Sequence, residues 1–176
     1  MSKHKKKDET VIFIDTCVFR AIKFDLEGEI SHHLFALGKK YNLKFITTDA
    51  VINETIEKMY EMITGMKKNF PSQSDIPRFF REDIKFTEIN LNKSYESIVE
   101  RFKTFMDRVF INVPIGNIDV QEVLRRRFEF EPPFENNNNK RNEFIDAFNL
   151  LTLQEYVEDR NCSVIVVSQD EGVQKA

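Results

Sequence analysis

Two short apolar runs, each followed by an acid, constrain this chain more than any other feature. Val11-Ile12-Phe13-Ile14 ends at Asp15, and Val164-Ile165-Val166-Val167 is followed by Ser168, Gln169 and then Asp170. Continuous apolar runs of this length read as strands buried on both faces, as in a parallel sheet. In open α/β sheets the ligand crevice lies at the carboxyl ends of the strands, so both acids fall where ligands bind. A third acid, Asp146, is the only charged residue between Phe144 and Leu153. An ionised carboxylate in so apolar a helix is costly unless it is hydrogen-bonded or beside a cation. Carboxylates gathered together also repel one another unless a cation sits among them. The pattern points to a hard divalent metal, and from there to phosphate chemistry.

The rest of the chain reads as helices between strands. Beyond a polar tail (1–10), the strands are expected at Val11 to Ile14, Leu43 to Thr47 and Ser163 to Val167. Helices are expected at about 30–41, 50–63, 94–110, 119–128 and 142–158, with Asp49 capping the second. On that second helix the apolar stripe is Ile52, Ile56, Met59, Tyr60 and Ile63, which leaves Glu54 on the opposite flank. Residues 66–91 are mixed and charged and read as an insertion or lid. Alternating strands and helices argue an α/β fold with a mostly parallel sheet. The 176 residues fit one domain, 11–176, with a helical insertion at about 65–114.

Composition narrows the function. Net charge is −3, so no global positive field draws nucleic acid, and any such contact must come from local patches. Arg125-Arg126-Arg127 and Lys140-Arg141 are the candidates, and Lys3 to Lys7 reads as a solvated tail. Cys17 and Cys162 have no zinc spacing and read as small core residues in a reducing compartment. The 17 Phe without Trp read as a compositional habit rather than a site. No apolar run approaches the length that spans a bilayer, and no signal peptide is evident, so a cytoplasmic protein is expected. Phosphate loops of the GxxxxGK[ST] or GxGxxG type and a Gly-x-Ser-x-Gly elbow do not occur. A dehalogenase-like phosphatase would need an Asp two residues after Asp15, where Cys17 stands.

Each acid also has an ordinary structural explanation. Asp15 suits a helix cap, Asp170 a turn, and Glu54 a solvated helix flank. Glu143 shares a helix face with Asp146 and lies in the first turn, where an acid suits the helix dipole. Asp146 is the hardest of the five to explain structurally.

Taken in order, these residues resemble a PIN-domain nuclease. Ile14-Asp15-Thr16 closes the first strand, and Glu54 follows on the helix after the second. Asp146 stands in Asn142-Glu143-Phe144-Ile145-Asp146-Ala147 near the start of a late helix, and Asp170 in Val167-Ser168-Gln169-Asp170 at a late strand end. The Pro132-Pro133-Phe134 loop before the late helix resembles a less characterised, bacterial PIN-like subgroup. The resemblance covers about Val11 to Gly172. It implies a three-layer α/β/α fold with a central parallel sheet, two divalent ions, and hydrolysis of RNA or sometimes DNA. The chain departs from the family in its long segment from Gly65 to Pro114. It also ends soon after Asp170, where the family adds a helix and a strand, so a truncated chain or the first part of a larger protein is expected.

The resemblance implies a divalent-metal-dependent nuclease, with single-stranded RNA favoured over DNA. Asp15, Asp146 and Asp170 are the expected ligands of Mg²⁺ or Mn²⁺. Glu54 is expected to hold a metal-bound water or a second ion, with Glu143 nearby. Thr16 and Ser168 are placed to hydrogen-bond these acids, while Lys140, Arg141 and Arg126 are placed to meet phosphates. Two rival readings are a PIN-like scaffold or nucleic-acid clamp without catalysis, and a metal-dependent phosphatase or DNA nuclease using the same carboxylates.

Overall fold

The structure, a computed structural model, describes residues 9–69, 91–116, 118–136 and 143–175. Along the chain these form β1 (Thr10–Ile14), α1 (Thr16–Ala21), α2 (Glu29–Tyr41), β2 (Lys44–Thr48) and α3 (Asp49–Asn69). Then come α4 (Leu91–Val109), β3 (Phe110–Val113), α5 (Val120–Glu129), α6 (Phe144–Arg160), β4 (Ser163–Val167) and α7 (Glu171–Lys175). The strands form one sheet in the order β3-β2-β1-β4, every pair parallel. Connections after β1 and β2 build the sheet towards one edge, and the chain then crosses back to lay β4 on the other side of β1. The boundary between β1 and β4 is therefore the switch point at which ligands bind in open parallel sheets.

Helices cover both faces. Side chains alternate along a strand, and β2 shows the alternation. Phe45 packs its ring on Phe35 of α2 and Phe110 of β3, at centroid distances of 5.1 and 5.8 Å. Thr48, three residues on and so on the opposite face, bonds Asn149 of α6. The result is the three-layer α/β/α arrangement. Phe19, Phe35, Phe45, Phe102, Phe105 and Phe110 form a net of edge-on and tilted rings on the α2/α4 face. These six Phe thus build one side of the core. α4 turns an apolar stripe to the core, with Ile98, Phe102 and Met106 all but fully buried.

Four local expectations change. The apolar stripe of α4 runs on towards Val109, which hid β3, yet Phe110 to Val113 pairs with β2 in parallel register. Segment 65–114 thus contains a sheet strand and a core helix, while residues 70–90 of the expected insertion lie outside the described residues. α3 is capped by Thr48, whose Oγ1 accepts from the N–H of Val51 at 3.2 Å, while Asp49 accepts from Asn112 instead. The buried line of α3 is Val51, Thr55, Met59 and Ile63, with Tyr60 turned outward to stack on Tyr95. That rotation brings Glu54 to the margin of the buried face. Finally β4 is an edge strand. Ile165 and Val166 are 49% and 36% exposed, so this apolar run is not buried on both faces as β1 is. Asn42 and Asn161 end α2 and α6 in the left-handed region, which Asn tolerates better than most residues.

Candidate active site

The site begins at the corner where β1 becomes α1. Asp15 is 6% exposed, and its backbone N–H donates to the carbonyl of Val167 on β4. Its Oδ1 caps α1 by accepting from the N–H of Thr16 at 2.7 Å. Its Oδ2 accepts from Ser168 Oγ at 2.7 Å and from the Cys17 thiol at 3.1 Å. Three donors around one buried carboxylate offset the cost of taking its charge out of water.

The turn after β4 is built onto the same corner. Ser168 Oγ, while donating to Asp15, accepts from the N–H of Asp170 at 2.9 Å. Asp170 Oδ1 then accepts from the N–H groups of Gly172 and Val173 and so starts α7. Gly172 fits a tight place: a Cβ would lie 3.0 Å from both Asp170 Oδ1 and the Pro133 carbonyl. The loop containing the cis Pro132-Pro133 bond is thus held against the Asp170 turn. Phe134 at its end is buried with Val123 and Ala147.

The two helix carboxylates face this corner. Glu54 Oε2 accepts from Thr16 Oγ1 at 2.9 Å. Burial pushes the Glu54 carboxyl up, the Thr16 bond works against this, and the charge of Asp15 adds to it. Asp146, in the first turn of α6, is pushed up to about 7, first by burial and then by the charges of Asp15, Glu143, Asp170 and Glu54. Glu143 stands at the N-cap of α6 and makes no side-chain capping bond there. Four of the five acids singled out in the sequence, Asp15, Glu54, Glu143 and Asp170, therefore act on the fifth, Asp146. They share a field without meeting at a point: among the described residues, no three His, Cys, Asp or Glu side chains are grouped as around an ion. The donor set is nonetheless all-oxygen and mutually repulsive, which suits a hard divalent ion that keeps several of its waters.

Cys17 is the residue that sequence reasoning misplaced. It is half-buried and bonded into the corner, accepting from the N–H of Gln169 at 3.0 Å. Burial pushes its thiol up. Its position two residues after a strand-end acid, in the first turn of a helix capped by that acid, was the available signal.

The basic candidates fare differently. Lys140 and Arg141 lie outside the described residues. Arg126 Nε donates to Glu122 at 2.7 Å. Arg125 bonds Glu122, Glu129 and Glu131. The two guanidinium groups hold the Glu122 carboxyl down at about 2. Arg126 lines a groove of about 250 Å³ together with Asp119, Glu122, Glu155 and Glu158. An acid-lined groove with its cation already paired is a poor place for a phosphate.

No described helix is long and apolar enough to cross a membrane. Comparison with curated proteins and with solved structures returns no match. Residues 12–172, from β1 to the first turn of α7, match the PIN domain, a family of metal-dependent nucleases. That span holds all five acids and, apart from Thr10 and Val11 of β1, the whole sheet, and the chain belongs to the PIN domain family.

Proposed function

We propose that this chain is an endoribonuclease that hydrolyses phosphodiester bonds of single-stranded RNA, using Mg²⁺ or Mn²⁺ at the β1–β4 switch point. The observation that carries the reading is the burial of Asp146 beside Asp15, Glu54, Glu143 and Asp170, where burial first and then the four charges push its carboxyl up to about 7. A site selected only for stability would not gather four carboxylates against one partly buried acid. Asp15, Asp146 and Asp170 are the proposed ligands, with Glu54 and Glu143 flanking them. A divalent ion held there would supply an activated water and neutralise charge growing on the phosphoryl oxygens. The chain's own contribution is orientation. Ser168 and Cys17 fix the Oδ2 edge of Asp15, and Thr16 fixes Glu54. Lys140 and Arg141, just before α6, are the proposed phosphate contacts.

The test is cleavage of labelled single-stranded RNA and DNA with Mn²⁺, with and without EDTA. RNA should be cut in preference to DNA, EDTA should stop the reaction, and Asp15→Asn should reduce it by orders of magnitude. Cleavage of DNA alone would reassign the substrate. Failure to cut any strand while Mn²⁺ is demonstrably bound would replace the nuclease reading with a nucleic-acid clamp or scaffold.

A further inference from the structure

α3 and α6, the helices that carry Glu54 and Asp146, are joined at one buried hydroxyl. Thr48 is fully buried and Asn149 is 4% exposed. Thr48 Oγ1 donates to Asn149 Oδ1 at 2.6 Å and accepts from the N–H of Val51 at 3.2 Å. One proton and one lone pair are thus committed in opposite directions, one into each helix. The link sits close to both carboxylates along the chain. Glu54 is three residues beyond Val51, and Asp146 three residues before Asn149, each less than one helical turn away. Water does not readily replace the bond in so buried a place, because breaking it would leave Asn149 Oδ1 and the Thr48 hydroxyl proton without partners.

We propose that the Thr48–Asn149 hydrogen bond sets the spacing between the Glu54 and Asp146 carboxylates, making Thr48 and Asn149 positioning residues of the metal site. The inference rests on the metal reading given above. Neither residue touches the ion or the substrate. Each acts by fixing where a helix begins relative to the end of β2. Where α3 holds Glu54 and α6 holds Asp146 decides how far apart the two acids stand, and this bond ties the two helices together.

The experiment measures Mn²⁺ affinity by electron paramagnetic resonance of the free ion, alongside thermal unfolding, on the whole chain. Thr48→Ser keeps the hydroxyl and should bind Mn²⁺ as the wild type does. The double variant Thr48→Val with Asn149→Leu removes both partners of the inter-helix bond together and leaves only the Val51 N–H without its acceptor, the loss of one helix cap, which thermal unfolding of the double variant reads directly. Its Mn²⁺ affinity should nevertheless fall by about tenfold or more, the range typical of lost outer-shell support. Asp146→Asn serves as the reference for the site itself and should lose most of the binding. If Asp146→Asn loses binding while the folded double variant keeps wild-type affinity, the positioning role is overturned and the metal reading stands. If the wild type binds no Mn²⁺, or Asp146→Asn binds as tightly as wild type, both are overturned. Equal loss in Thr48→Ser and in the double variant would also overturn the proposal, because the hydroxyl would then not be what matters.

Discussion

Ser168 Oγ reaches across the β1–β4 boundary to donate to Asp15 Oδ2, and the same oxygen accepts the N–H of Asp170. One hydroxyl therefore couples the two strand-end acids that lie 155 residues apart in sequence. It orients the first and holds the turn that presents the second. Ser168→Ala should cost about 1–3 kcal/mol, the usual penalty for leaving a buried group without its partner. Thr should substitute with a smaller loss. Denaturant unfolding of the two variants measures the difference, and a Ser168→Ala protein as stable as wild type would remove the hydroxyl from the account of this corner.

Asp146 makes stability depend on pH in a defined direction. Its folded carboxyl is raised from 3.8 to about 7, so between those values the folded chain holds a proton that the unfolded chain has released. The unfolding free energy then falls as pH rises through that window and levels off above about 7, where both states are ionised. Metal-free unfolding measured from pH 4 upward should show that decline. Asp146→Asn should flatten it and be at least as stable as wild type at pH 8. A badly destabilised Asn variant would instead mark Asp146 as a structural acid.

Divalent ions should reverse the loss. Mg²⁺ or Mn²⁺ should bind the folded carboxylates in preference to the unfolded chain, and so should raise the melting temperature by an amount that grows with free-ion concentration. The gain should be larger at pH 8 than at pH 5.5, because protons compete for Asp146. Asp146→Asn should lose most of it. Calorimetric scans with and without metal at the two pH values check this, and an equal shift in the Asn variant would place the ion elsewhere.

Phosphate contacts should be visible as salt dependence. Arg126 is held by Glu122 in an acid-lined groove, so Arg126→Ala should leave the salt slope of RNA binding unchanged. The Lys140→Ala, Arg141→Ala pair should lower the slope by about one to two, as the loss of one or two phosphate contacts would. Filter binding over a range of salt concentrations measures both. A lower slope for Arg126→Ala would put a phosphate at α5.

Local order was legible in the sequence by itself. The run Val11 to Ile14 and the extent of α2 up to Tyr41 are set by neighbours a few residues apart. The strand-end placement of Asp15 and Asp170 followed from those runs, and so did the oddity of Asp146 in an apolar helix. What tertiary structure alone decided depends on residues distant in the chain. Phe110 to Val113 becomes a strand because β2 offers it a parallel partner, although the helical stripe before it continues to Val109. Val164 to Val167 has the same apolar character as β1, yet it lies at an edge because the chain crosses back over β1 to place it there. Cys17 joins the acid corner because the β4 turn brings Gln169 to it. Thr48 and Asn149, 101 residues apart, meet only when α6 closes over the sheet. Periodicity reports which face of an element is buried, but the partner that buries it, or bonds to it, is chosen by the packing of the whole chain.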